Sequence, residues 1–243
     1  PSATGVALPV DDSGAIVPHE GVAILDRFMG ACDAVVIGCG MGDEPGATAL
    51  ALRALGQQEV PVVVDAGAIT ALARTHEFWQ DVRASCVLTP HPGEFARLAA
   101  ALSIQGDATN DRDRPRLASL AAQRLGCIIV LKGAGTVVSD GLRSWTCTRG
   151  HACMATAGTG DVLAGVIGAI AAASRPGPTG GMMPGVGRVG AGPSLYDASR
   201  IAVDAHGRAG EAWARASGAG AGMLARELAD HLPGVISEMR TPA

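Results

Sequence analysis

The chain has 243 residues, 48% of them hydrophobic and only 3% aromatic, so aliphatic side chains have to build its core. This length suffices for one large globular domain or two small ones. The formal net charge of −4 means that the chain has no excess of basic residues, which argues against nucleic acid as the main partner. The longest apolar run, residues 162–173, is too short to cross a bilayer, so we expect no membrane partner.

Apolar runs rich in valine and isoleucine alternate with stretches rich in alanine, leucine and arginine. The runs predict strands at 34–38, 61–65, 86–89, 127–131, 136–139 and 143–147. The stretches between and after them predict helices at 45–55, 68–74, 93–101, 114–125, 162–173, 196–216 and 223–231. A weak strand at 5–10 and a helix-like stretch at 20–29 precede these elements.

Continuous rather than alternating hydrophobicity in the strands indicates a mostly parallel sheet of an α/β protein, with helices on both faces. The last two strands flank Asp140-Gly141 and predict a β-hairpin instead. Residues 174–194 are dense in glycine and proline and predict a flexible loop. Otherwise we expect residues 1–243 to form a single domain.

The six cysteines show neither CxxC nor Cys/His spacing, and several lie in apolar runs. A cysteine in such a run behaves as a small hydrophobic side chain. We therefore interpret them as reduced thiols of a cytoplasmic protein. The chain opens on Pro1 rather than Met, which suggests a fragment or a processed product.

Polar and glycine-rich motifs follow four of the predicted strands. They are GCGMG at 38–42, DAG at 65–67, TPHPGE at 89–94 and KGAGT at 132–136. In an open parallel sheet such loops meet at the carboxyl edge, where these folds bind ligands. Each motif alone is weak evidence for a ligand site. GCGMG lacks the third glycine of a dinucleotide-binding fingerprint, and TPHPGE is also typical of a helix start. His91 could serve as a structural hydrogen bonder or as a substrate contact.

A fifth motif, Gly158-Thr159-Gly160-Asp161, opens the apolar helix at 162–173. Free amides at a helix start suit a phosphate or a developing oxyanion. Asp161 suits proton removal while a phosphoryl group arrives, or else it is a helix N-cap. Lys132 is the only lysine among 19 basic residues, and its flexible ammonium differs in function from a guanidinium.

In this order, VVIGCGMG, PVVVDAGA, CVLTPHPGEFARL, VLKGAGTVV and MATAGTGDVLAGVIGAI resemble the ADP/ATP-dependent NAD(P)H-hydrate dehydratases of the ribokinase-like superfamily. The similarity covers about residues 34–173 and continues weakly through VDAHGRAG at 203–210. It implies a three-layer α/β/α fold and a carbon–oxygen lyase of metabolite repair. Such a lyase phosphorylates the ring hydroxyl of hydrated NADH or NADPH (S epimer) with ADP or ATP. Phosphate then leaves and the reduced nucleotide is regenerated.

The resemblance also implies roles for individual residues. Asp161 would polarise or deprotonate the ring hydroxyl. Contacts to the adenine nucleotide would come from Lys132, Gly133, Ala134, Gly135, Thr136 and Gly160. Contacts to the hydrated dinucleotide would come from Gly40, Gly42, His91 and Asp161. Gly158, Thr159 and Gly160 would form the anion hole, and Mg²⁺ is expected to bridge phosphates, with no protein ligand identifiable from spacing.

Several positions depart from the family pattern. Cys39 and Met41 replace the proline and leucine of the usual GPGLG, while Ala157 and Thr159 are closer to kinases of small alcohols. No counterpart of the family's first strand, turn and helix precedes residue 34, so we expect an N-terminally incomplete domain whose open edge a partner or a homo-oligomer would cover. Two alternatives therefore stay open: a small-alcohol kinase and a non-catalytic nucleotide-binding relative.

Overall fold

The computed structural model describes residues 3–174 and 192–240. The strands, in chain order, are β1 (Val35–Ile37), β2 (Val62–Val64), β3 (Cys86–Leu88), β4 (Ile128–Leu131), β5 (Val137–Ser139) and β6 (Ser144–Thr146). The helices are α1 (Pro18–Met29), α2 (Pro45–Leu55), α3 (Ala66–Ala73), α4 (Pro92–Ala101), α5 (Arg114–Leu125), α6 (Thr159–Ala173), α7 (Leu195–Ser217) and α8 (Ala225–Arg240).

The six strands form one sheet whose spatial order, β1-β2-β3-β4-β5-β6, repeats their order in the chain. Neighbouring strands from β1 to β4 are parallel, and β4, β5 and β6 are joined antiparallel. The mostly parallel sheet and the terminal hairpin predicted from the sequence are thus confirmed.

Helices cover both faces of the sheet, and the strands are apolar on both sides for that reason. In β2, Val62 and Val64 pack into the core formed with α2 to α5, whereas Val63 packs against α6 and α7. All three valines have no exposed surface. This three-layer arrangement explains why the strands read as unbroken apolar runs.

Two details differ from the sequence prediction. The prediction of a weak strand at 5–10 is wrong. Only an isolated bridge forms there, between Val10 and Ile16, because a turn held by the Asp11 carboxylate lies between these two residues. Helix α8 continues past its predicted end and through Pro233, since Leu232 and Val235 stay buried in the α7–α8 core. The predicted loop at 174–194 falls largely outside the described residues.

Strand β1 forms one edge of the sheet over the described parts of the chain, pairing there with β2 alone. Val36, on its α6 side, is 41% exposed, in contrast to the fully buried Val63 beside it. Within residues 3–174 and 192–240, no helix combines the length and the hydrophobicity that crossing a membrane demands.

Candidate active site

A cleft of about 880 Å³ opens at the carboxyl ends of the parallel strands. Its walls are the KGAGT loop (residues 132–136), His91, the start of α6 at Thr159 and Gly160, and His206 from α7. Most of the segment 147–157 closes the remaining side. Motifs that are far apart in the chain therefore meet at this edge of the sheet, as the loop positions predicted.

The KGAGT loop is shaped by its glycines. Gly133 and Gly135 have φ values of 150° and 68°, which side chains with a Cβ rarely adopt. Thr136 closes the turn by donating from Oγ1 to the Gly133 carbonyl oxygen over 3.0 Å. The Lys132 amide donates to the Pro90 carbonyl oxygen at 2.8 Å, which ties this loop to the TPHPGE segment.

Arg114 lies buried beneath the KGAGT loop, with 4% of its surface exposed. Its Nη2 donates to the carbonyl oxygens of Leu131 at 2.8 Å and Gly135 at 3.4 Å. A Cβ on Gly133 would lie 2.6 Å from Nη1, so only glycine fits against this guanidinium. Arg114 was not identified from the sequence, where nothing separates it from the exposed arginines around it.

The first turn of α6 presents an open helix N-terminus. Gly158 occupies the N-cap with φ 86°, and its cap receives no hydrogen bond from any side chain among the described residues. Thr159 is held by its own hydroxyl, which donates to the Thr156 carbonyl oxygen at 2.9 Å. Asp161 is exposed in the first turn and is not the N-cap, so the capping interpretation of this residue is wrong. The amides of this turn are available to a ligand.

His206 supports that turn from α7. Its Nε2 lies 2.8 Å from the Thr159 carbonyl oxygen. Burial lowers the pKa of His206 to about 4, the hydrogen bond to Thr159 opposes the shift, and the charge of Lys132 adds to it. The imidazole is therefore neutral near pH 7, and we assign its proton to Nε2, which donates to Thr159.

Beside this turn lies a buried ion pair that the sequence did not reveal. Asp65, 1% exposed, directly follows β2, and its Oδ1 accepts hydrogen bonds from Lys132 Nζ at 2.5 Å and Thr89 Oγ1 at 2.6 Å. A carboxylate of Glu94 lies 4.0 Å from the same ammonium. The Lys132 side chain thus reaches from the loop after β4 to the carboxylate that follows β2.

Cys39 adds a thiol to this cluster, since its Sγ donates to Asp65 Oδ2 over 3.7 Å. Burial, together with the carboxylates of Asp65 and Asp161, raises the pKa of Cys39 to about 12. Ligand atoms of these three residues lie within 4.8 Å of one another. They do not fit a protein-built Mg²⁺ site, because Mg²⁺ prefers oxygen ligands, the thiol stays protonated, and Lys132 already neutralises Asp65.

His91 was expected to be either a structural hydrogen bonder or a substrate contact, and its position is compatible with both roles. Its Nδ1 accepts from the amides of Gly93 at 3.0 Å and Glu94 at 3.3 Å, and the Glu94 carboxylate accepts from the His91 amide at 2.8 Å. This capping box confirms TPHPGE as a helix start. The imidazole is nevertheless 53% exposed and lines the cleft, so it can also contact a ligand.

Gly40 and Gly42 lie outside the lining of the cleft, on the β1 side of the Asp65 cluster. The Gly42 carbonyl oxygen would lie 1.9 Å from a Cβ on Gly67, so that turn packs directly on the start of α3. Of the predicted residues, the cleft gathers His91, Thr159, Gly160 and the KGAGT loop. Asp161 is absent from that lining, and its carboxylate lies within 4.8 Å of ligand atoms of Cys39 and Asp65.

Residues 18–234 match the model of the family described as NAD(P)H-hydrate dehydratase. A bifunctional NAD(P)H-hydrate repair enzyme of Moorella thermoacetica is 34% identical over 236 residues, which are 96% of this chain and 40% of that protein. The corresponding enzyme of Mycobacterium tuberculosis is 42% identical over 149 residues, covering 60% of this chain and 30% of its own length. The chain therefore spans about two fifths or less of these curated relatives.

Solved structures show the same fold. The ADP/ATP-dependent NAD(P)H-hydrate dehydratase of Bacillus subtilis, co-crystallised with ATP and Mg²⁺, superposes with a TM-score of 0.68 at 28% identity. The match covers 86% of this chain and 65% of that one. A hydroxyethylthiazole kinase of Pyrococcus horikoshii has a TM-score of 0.65 at 23% identity over 88% of this chain and 78% of its own, a likeness of fold alone. The ribokinase-like α/β fold expected from the motifs is confirmed.

Proposed function

Because the chain belongs to the NAD(P)H-hydrate dehydratase family, we propose that it dehydrates hydrated NADH or NADPH at the expense of ADP or ATP. The observation that carries this proposal is the open N-terminus of α6. There an exposed carboxylate, Asp161, stands beside free helix amides, and the adjoining cleft is lined by the KGAGT loop. A proton acceptor beside an anion site is what the transfer of a phosphoryl group to a hydroxyl needs.

The chemistry proceeds in two steps. The ring hydroxyl oxygen forms a bond to the terminal phosphorus of the nucleotide as the bond from that phosphorus to its bridging oxygen breaks, which releases ADP from ATP or AMP from ADP. The hydroxyl proton passes to Asp161. Phosphate then departs with the electron pair of the ring carbon–oxygen bond, while the adjacent ring carbon loses a proton. The double bond of the dihydropyridine is restored. Phosphorylation is required because hydroxide is a poor leaving group near neutral pH.

The residues divide into two groups in this proposal. The adenine nucleotide lies against Lys132, Gly133, Ala134, Gly135, Thr136 and Gly160, and the amides of Gly158, Thr159 and Gly160 hold the transferred phosphoryl group. The hydrated dinucleotide contacts Gly40, Gly42, His91 and Asp161. Mg²⁺ would be carried by the phosphates of the nucleotide, with Asp161 as the nearest exposed carboxylate, and would neutralise phosphate charge.

We further propose a cellular location, small-molecule partners and an oligomeric state for the protein. The six cysteines are all free thiols, which supports a reducing, cytoplasmic location. We retain hydrated NADH and NADPH as the small-molecule partners, and residues 1–243 as a single domain. An open β1 edge supports a homo-oligomer or a partner that covers it.

The test is an incubation of the protein with hydrated NADH, Mg²⁺ and either ADP or ATP. We expect absorbance at the reduced-nicotinamide band to rise, with release of one phosphate for each NADH formed. A stable phosphoester without NADH would instead identify a small-alcohol kinase. Nucleotide binding with neither product would identify a non-catalytic relative.

A further inference from the structure

The Lys132 ammonium is fixed in place by a buried carboxylate. Only 17% of the Lys132 side chain is exposed, and its Nζ lies 2.5 Å from Asp65 Oδ1. Asp65 cannot move away, because Thr89 Oγ1 donates to the same oxygen and Cys39 Sγ to the other. A buried charge pair that loses one partner leaves an uncompensated charge, so the two side chains constrain each other.

The same ammonium lies against the start of α6. A Cβ on Gly160 would be 3.2 Å from Lys132 Nζ and 3.9 Å from Asp65 Oδ2. The ammonium therefore adjoins the backbone of the helix turn that no described side chain caps. An ammonium has three N–H donors and Asp65 Oδ1 takes one, so those that remain can act with the helix amides on the oxygens of one phosphoryl group.

We propose that Asp65 is a positioning residue, which holds the Lys132 ammonium where it contacts the phosphoryl group moving between nucleotide and ring hydroxyl. This inference rests on the proposed function. In it, Lys132 stabilises the charge on the phosphoryl oxygens during transfer, and Asp65 acts only through Lys132. This role is in addition to the contact with the adenine nucleotide proposed above, because the ammonium also adjoins Gly160 in the first turn of α6.

Steady-state kinetics of Asp65→Asn provide the first test. We expect kcat to fall on the order of 10-fold with the nucleotide dissociation constant unchanged, as when a residue that orients a charged group is lost. Asp26→Asn removes a surface ion pair between Asp26 on α1 and Arg53 on α2, so it is the matched control and should keep the wild-type kcat. An unchanged kcat in Asp65→Asn overturns the inference.

Chemical rescue separates positioning from a structural role. Lys132→Ala should lose about 100-fold in kcat, and added methylammonium should restore part of it by occupying the vacated place beside Asp65. The double variant Asp65→Asn/Lys132→Ala should not respond to the amine. Equal rescue with and without the carboxylate would show that Asp65 does not place the ammonium.

If Asp65→Asn does not fold, Thr89→Val replaces it in the kinetic test, since it removes one donor to the same carboxylate and keeps both charges. Its kcat should fall less than that of Lys132→Ala, and a wild-type kcat would count against the inference.

A last measurement does not depend on turnover. Lys132 is the only lysine, so selective ¹⁵N labelling gives a single side-chain ammonium signal. Inorganic phosphate should shift this signal in the wild type and leave it unshifted in Asp65→Asn. If Asp65→Asn does not fold, the shift in Thr89→Val should be smaller than that in the wild type. An unshifted wild-type signal overturns the inference. A wild type that forms no NADH overturns the proposed function, while the phosphate titration still decides the role of Asp65.

Discussion

The KGAGT loop and the glycine turn at 38–42 both follow parallel strands, yet the protein supports them differently. Beneath the loop lies the buried Arg114 guanidinium, which donates to the carbonyl oxygens of Leu131 and Gly135. The turn follows the edge strand β1, whose Val36 is 41% exposed. Apart from Gly40 and its two chain neighbours, no described residue has an atom within 4 Å of the place that a Cβ on Gly40 would take. Of the two halves proposed above, the nucleotide half is therefore preorganised around Arg114, and the dinucleotide half has open space at Gly40, although Gly42 packs on Gly67.

The largest loss of turnover should come from changing Asp161, the residue between the two halves. Asp161→Asn is expected to lower turnover on the order of 10²- to 10⁴-fold, because the proton acceptor is lost while the helix amides remain. Nucleotide affinity, measured by calorimetry, should be kept. Asp230→Asn, on the exposed face of α8, serves as the control. Near-wild-type turnover in Asp161→Asn would remove the central mechanistic claim.

The support of the nucleotide half should be sensitive to acid through His206. Its pKa is lowered from 6.5 to about 4 in the folded protein, so its contribution to the free energy of unfolding is complete above about pH 6.5. That contribution is lost as pH falls toward 4, by up to about 3 kcal/mol. Denaturant unfolding of His206→Gln at both pH values should show a smaller loss.

His19→Asn, which changes an exposed histidine on α1, should lose as much stability as the wild type over the same pH range. A wild-type pH dependence in His206→Gln would show that other groups cause the acid lability.

A matched pair of glycine variants compares the two halves directly. Gly133→Ala places a Cβ 2.6 Å from the buried Arg114 Nη1, and we expect it to cost about 2 kcal/mol of unfolding free energy and to weaken nucleotide binding. Gly40→Ala meets no such contact and should cost only about 1 kcal/mol, from its φ of 69°. Equal losses of stability would contradict the contrast between a supported and an open half.

The smallest expected difference is between the affinities for the two ligands. Because the glycine turn lies at an open edge, we expect hydrated NADH to bind about 10-fold more weakly than the adenine nucleotide, a difference of about 1.4 kcal/mol. Separate calorimetric titrations measure both. Equally tight binding of both ligands would show that the open edge does not weaken the proposed dinucleotide site.

Short-range sequence patterns were sufficient to predict most of the fold. The predicted bounds of α2 and α5 are those observed, because proline near each helix start and glycine after each end are short-range signals. The sequence also located the loops at the carboxyl edge, since each follows a strand. It did not reveal the pairing of Lys132 with Asp65, 67 residues apart, nor the burial of Arg114. Such contacts depend on how loops pack in space, which no local periodicity records.

The strand order has a consequence for the synthesis of the protein. Since each strand from β2 to β6 pairs with the one made just before it, the sheet can grow one strand at a time as the chain leaves the ribosome. The face that packs on α6 and α7 stays uncovered until those later helices emerge. The helix that carries Asp161 is thus made after all six strands, and the candidate active site can be completed only once the sheet beneath it exists.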